Sequence, residues 1–269
     1  MEKIKVNKAR KSLYCTELRL QKKSSLWWLC VLGVLVFVNV VVFPLIESII
    51  DSLTAEEKQQ MIDMGLSLDY ATITDYFLYE CGVTHALGGA LFACCFASIS
   101  LARDFKYGTY ELLYTNGLSR GQITGIKYCA VLTVLVGMNV AEFLVELVGM
   151  CIVDFSGIQI APLLAFLLFN LIVQISVASI VFGITLCNPK KFGLGLAIGL
   201  PLVLYFIASI AVGLEAGAEF VEILSPFSVF FDMGADKPFD VNYFGLALFA
   251  GLAVAAMCVG MVKNKKIDY

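Results

Sequence analysis

Long apolar runs alternate with short polar connectors along this chain. A hydrocarbon core about 30 Å thick needs about 20 apolar residues in a helix. Six runs reach that length: 26–46, 82–101, 128–148, 162–186, 194–214 and 243–262. They predict an all-α membrane protein of six transmembrane helices. Composition agrees, with 59% of the 269 residues hydrophobic and only 15% charged. A soluble domain would keep roughly a quarter of its residues charged.

Charge patterning then predicts orientation, because loops on the cytoplasmic side carry an excess of Lys and Arg. With the N-terminus inside and six alternating spans, both termini are cytoplasmic. Of the 19 basic residues, only Lys58 and Lys237 then fall outside. Acidic residues do the reverse. Glu47, Asp51, Glu56, Glu57, Asp63, Asp69, Asp75 and Glu80 fill an outer loop at 47–81. Glu215, Glu219, Glu222, Asp232, Asp236 and Asp240 fill another at 215–242. The layout is a basic N-terminal segment (1–25), a transmembrane domain (26–262) and a basic tail (263–269).

Leu13, Leu18 and Leu20 stand among the basic residues of 8–23. They predict an N-terminal amphipathic elbow helix on the inner leaflet; a disordered basic arm is the alternative. The basic region is too long for a cleavable signal peptide, and no small-residue cleavage site follows the first run. Thr54-Ala-Glu-Glu57 is a capping box and predicts a short helix in the first outer loop. Another is expected near 219–224. The nine cysteines lie mostly in or beside apolar runs, with no C-x-x-C and a single histidine, His85. They read as small polarizable packing residues. The basic residues form no patch interleaved with aromatics, which argues against a nucleic-acid partner.

The connector between the second and third runs is more specific. Arg103-Asp-Phe-Lys-Tyr-Gly-Thr-Tyr-Glu-Leu-Leu-Tyr-Thr-Asn-Gly-Leu-Ser-Arg120 contains its own start and stop signals. Gly108 breaks the helix leaving the second run. Thr109 caps a new one, with Glu111 in its first turn, and Gly117 closes it in the left-handed conformation. Ser119-Arg-Gly-Gln122 is a capping box opening the third span. The prediction is a two-turn cytoplasmic helix over 110–116, presenting Tyr110, Leu113 and Tyr114 beside Glu111.

These residues resemble the cytoplasmic motif of permease subunits in the type-2 family of ABC exporters. The matching positions are Asp104, Gly108-Thr109, Leu112-Leu113, Ser119-Arg120 and Lys127. Asp104 stands where Glu is more usual. Leu224-Ser-Pro-Phe227 and the basic tail agree with the resemblance. It implies that two six-span subunits pair, as a homodimer or a related heterodimer, and that each docks on a separate ABC ATPase. Segment 109–117 would be the coupling helix. This chain has no G-x-x-x-x-G-K-[ST], so it would carry no cofactor of its own; ATP and Mg would be bound by two copies of the ATPase subunit. The resemblance also implies a bacterial plasma membrane.

Small residues Ala86, Gly89, Ala90 and Ala93 in the second span, with Gly195 and Gly199 in the fifth, allow close helix approach. Two readings stay open: ordinary packing, or helices flanking a translocation cavity. Gly193-Leu-Gly-Leu-Ala-Ile-Gly199 has no Lys-Ser/Thr, so helix packing explains it better than a nucleotide loop. In the third span Asn139, Glu142 and Glu146 share one face, at spacings of three and four. Their depth leaves two readings open. One is an outward interface position with ordinary solvation; the other is a negatively lined exit that attracts a cationic substrate. Asn170, Gln174 and Asn39 are candidate partners across helices.

The expected function is therefore the permease half of an ATP-driven exporter. An amphipathic or antimicrobial peptide is the leading substrate class, taken from the cytoplasm or inner leaflet. Small drugs, lipids or ions within the same family, or a non-transport membrane immunity or sensor protein, are the alternatives. An intramembrane metalloprotease is disfavoured by one histidine and no H-E-x-x-H.

Overall fold

The computed structural model describes residues 2–63, 70, 72–109, 113, 117–189, 193–212, 223–233, 236, 238–239, 241 and 243–266. The described residues are helical, without strands. Six helices are long and apolar enough to cross a membrane, as the apolar runs predict.

The first helix, α1 (Glu2–Val41), is continuous for 40 residues. No Gly or Pro occurs between Glu2 and Leu32, so nothing interrupts the backbone hydrogen bonds. The amphipathic segment expected at residues 8–23 is helical and continuous with the first span. Pro44, which lacks an N–H, breaks the run only later, where α2 (Phe43–Ser52) begins. α3 (Ala55–Asp63) starts at the anticipated capping box. Glu57 accepts the Thr54 backbone N–H at 2.8 Å, and the Glu57 N–H reaches the Thr54 hydroxyl at 3.3 Å.

A short α4 (Ile73–Tyr76) runs through one wider, π-type turn (Phe77–Gly82) into α5 (Val83–Lys106). Then follow α6 (Arg120–Val153), α7 (Ile160–Cys187), α8 (Leu194–Val212), the short α9 (Val229–Asp232) and α10 (Tyr243–Lys266). The helix expected near 219–224 falls largely on residues outside those described.

α5 and α7 form the inner pair. The most apolar window of α5 is 72% buried and that of α7 61%, against 28% for α1, α8 and α10. Exposed Val31, Val34 and Val38 on α1, and Val203, Phe206 and Ile210 on α8, make apolar outer faces suited to lipid. α7 packs closely on α10 because both contribute glycine. A Cβ on Gly183 would strike the backbone of Ala256, and one on Gly260 would strike the Gly183 carbonyl.

Polar contacts gather at the two ends of the bundle. At one end the Thr74 hydroxyl donates to the Gly157 carbonyl at 3.0 Å and accepts the Gln159 N–H at 2.9 Å. The other end carries Arg103, Lys106, Arg120, Lys127 and Lys263, and is called the basic end below.

Candidate functional site

The basic end reproduces much of the punctuation read in the sequence. Gly108 has φ +66° and Gly117 φ +72°, a region that costs L-residues with a Cβ. Around Gly108 the chain closes α5 with a Schellman motif. The Thr109 N–H reaches the Asp104 carbonyl at 3.0 Å, and the Gly108 N–H reaches Phe105 at 3.4 Å. The Thr109 hydroxyl turns back to donate to Asp104 Oδ1 at 3.3 Å. Its carbonyl accepts the Leu113 N–H at 3.3 Å. Leu113 is half-buried in a groove with Ala9, Leu13, Thr16 and Leu118. Tyr110, Glu111, Leu112, Tyr114, Thr115 and Asn116 lie outside the described residues. Ser119 and Gln122 form the full reciprocal capping box.

Asp104 and Lys127 prove to be one device. Lys127 is 2% exposed, and its Nζ lies 2.6 Å from Asp104 Oδ2 and 2.5 Å from Glu17 Oε1. It also donates to the Ser100 carbonyl at 3.0 Å. Arg103 contacts the other Glu17 oxygen at 2.6 Å. Two carboxylates and two cations thus join α1, α5 and α6 with no net charge. Such a group tolerates burial only while every partner is present. Arg120 donates to the carbonyls of Asn264 and Lys265 at 3.0 and 3.3 Å, and Asn264 donates to Thr124 at 3.2 Å. This ties in α10. The sequence reading missed Glu17. Its signal is that it is the lone acidic residue between Lys3 and Lys23.

Beside this network, a cleft of about 680 Å³ opens between α5 and α8. Ser98, Ile99, Arg103, Lys106, Tyr107 and Leu194 are among the residues that line it. Gly195 is exposed on α8 and Gly199 half-buried. A Cβ at either would meet nothing within 4 Å.

A second polar group lies deeper in the bundle. Asn139, Glu142 and Glu146 do share one face of α6, and all three are buried. The expectation of ordinary solvation for the two glutamates is corrected: each is 2% exposed. The physical reason is His85, from α5. Its Nε2 lies 3.0 Å from Glu142 Oε2 and its Nδ1 lies 2.6 Å from Glu146 Oε1. Phe77 and Phe166 pack around the ring with centroids at 6.5 and 5.6 Å. His85 escaped the sequence reading as a partner, although an ionisable residue within a span is itself a pointer.

One turn away, Asn139 donates to Gln174 Oε1 at 2.7 Å and accepts from Gln174 and Asn170 at 3.2 Å each. The expected pairing of Asn139 with α7 is therefore present. Asn39 is half-buried and supplies its backbone carbonyl to the Tyr76 hydroxyl at 3.3 Å. Ala86, Ala90 and Ala93 are fully buried. Gly89 has a more particular role, since a Cβ there would collide with the Gln174 amide. It makes room for a polar side chain.

His85 meets the two carboxylates through different nitrogens. Among the described residues, no group of three or more His, Cys, Asp or Glu is arranged to hold a metal ion. All nine cysteines are free. The fold thus defines a multi-pass, six-helix membrane protein with two buried charged centres. No protein-family model matches the chain, and no curated protein matches it.

Proposed function

We propose that this chain is the permease half of an ATP-driven exporter resembling the type-2 ABC family. The basic end faces the cytoplasm, and segment 109–117 receives the motion of a separate ATPase. A second permease subunit completes the pathway. The observation that carries this reading is the anchoring of that segment. Positive-φ glycines bound it at 108 and 117, and the Asp104–Lys127–Glu17 network holds the helices on either side of it. A push on such a segment passes into α1, α5 and α6 rather than dissipating in a loose loop.

The cleft between α5 and α8 supports an entry route near the inner leaflet, where basic and aromatic side chains meet an apolar wall. An amphipathic or antimicrobial peptide suits such a mixed surface. The membrane is a bacterial plasma membrane in this reading, and hydrolysis of ATP takes place entirely in the partner.

Affinity purification of the tagged full chain from its native membrane tests the proposal. A stand-alone ABC ATPase is expected in equal amount, with its binding reduced by Glu111→Arg and Tyr114→Ala. Recovery of the folded chain without any ATPase sinks the proposal and favours a non-transport membrane role.

A further inference from the structure

The charged centre around His85 has a proton balance that its surroundings make consequential. Each imidazole nitrogen stands within 3.0 Å of a carboxylate oxygen. The Nε2 contact with Glu142 is a hydrogen bond, whereas the Nδ1 contact with Glu146 is an ion-pair distance at which neither atom makes a hydrogen bond. Even with both ring nitrogens protonated, an imidazolium between two carboxylates leaves the group with a net charge of −1.

No cation balances that charge among the described neighbours. α7 offers the neutral amides Asn170 and Gln174, together with Phe166. Ahead of α5, Cys81 lies within electrostatic reach of Glu146, with Tyr76 and the exposed Glu80 near it. These groups are neutral or acidic. α9 contributes Phe230, packed on Phe166. α1 contributes the Asn39 carbonyl, turned to Tyr76. A net anion in apolar surroundings is costly.

One more proton removes the imbalance, and an acceptor is ready for it. Glu142 Oε1 and Glu146 Oε1 are both buried without a hydrogen-bond partner, as is the nearby Asn170 Oδ1. We propose that His85, Glu142 and Glu146 form a proton-binding site that takes up one proton from water and is neutral when loaded. The loaded form is an imidazolium between one carboxylate and one carboxylic acid. Glu146 lies about 10 Å and Glu142 about 16 Å along α6 from its end at Val153, at about 1.5 Å per residue. The exposed Glu80 stands at that same end, so the proton arrives from the side opposite the basic end. The site stands independently of the exporter reading.

His85 is the only histidine, so ¹⁵N-histidine labelling of the full chain in lipid nanodiscs reports this ring alone. Infrared spectra of the same samples report the carboxyl groups. At about pH 5, above the range in which free carboxyls protonate, the wild type is expected to show the carbonyl stretch of one protonated carboxyl that is absent from an alkaline sample. In the loaded form both ring nitrogens carry hydrogen. Glu142→Gln or Glu146→Gln is expected to abolish the carboxyl band. The proposal is overturned if the wild type gains no such band, or if its ring carries one N–H at pH 5. It is equally overturned if the band survives in both variants. The wild-type spectra decide even where a variant does not fold.

Discussion

Lys127 offers the sharpest test of how the basic end is held. In Lys127→Met the stem is replaced by an apolar chain of similar reach and the ammonium is lost. Glu17 retains Arg103 at 2.6 Å. Asp104 retains only the Thr109 hydroxyl at 3.3 Å, while 6% exposed. One carboxylate is therefore left buried and uncompensated, at a cost of about 3–5 kcal/mol. At about 2–4 °C per kcal/mol for chains of this size, the midpoint of thermal unfolding in detergent falls by roughly 10 °C.

The double variant Lys127→Met/Asp104→Asn removes both members of the pair and leaves Glu17 with Arg103. It is expected to recover much of the loss, with an interaction energy of about 1–3 kcal/mol between the two positions. Circular dichroism at 222 nm, roughly the helix band reporting the ladder of α-helical hydrogen bonds, follows the transition. A Lys127→Met midpoint equal to that of wild type, or a double variant no better than the sum of the singles, refutes the reasoning.

Three further predictions follow from single sites. Gly108→Ala forces a Cβ into φ +66° and should destabilise by about 1 kcal/mol. Gly125→Ala, inside α6 with nothing within 4 Å, should be neutral or stabilising by up to about 1 kcal/mol; thermal midpoints that rank the two the other way contradict the backbone argument. Gly183→Val drives side-chain atoms into the Ala256 backbone, and overpacking of about 1–3 kcal/mol or more should loosen α7 from α10. Protease sensitivity of the α10 segment reads this directly, and unchanged cleavage argues against the close crossing.

Acidification should weaken two turns outside the spans. Hydrogen bonds from Ser156 hold the Asp154 carboxyl below its usual range, and those from Thr54 do the same for Glu57. Depressed carboxyl values mean that the contribution is present above the unfolded-state value, about 4. It is lost as pH falls through the folded one. Faster amide exchange at Ser156 and Thr54, whose N–H groups donate to the two carboxylates, below that pH and corrected for intrinsic rates, checks the sign; unchanged exchange contradicts it.

The apolar runs made the six helices legible because lipid-facing helices need apolar residues on nearly every face. Caps were legible for a different reason, since Thr54, Gly108 and Ser119 act through neighbours no more than five residues away. What escaped were contacts between distant segments. Glu17 meets Lys127 across 110 positions and His85 meets Glu142 across 57. Each residue is visible in the sequence as an ionisable group out of place, but its partner depends on helix rotation and register. Gly89 shows the same limit: read as a helix-packing residue, it packs specifically by clearing space for Gln174 on α7. The unbroken α1 was in principle readable, since no Gly or Pro separates the basic segment from the span.

In the proposed function, segment 109–117 receives work from an ATPase. Site-specific photo-crosslinking measures this contact most directly. A photoreactive amino acid replaces Leu113, beside the groove at the basic end, or Leu252, exposed on the outer face of α10. The account predicts an adduct with an ABC ATPase from position 113 and none from position 252. An adduct absent from position 113 in a folded chain contradicts it.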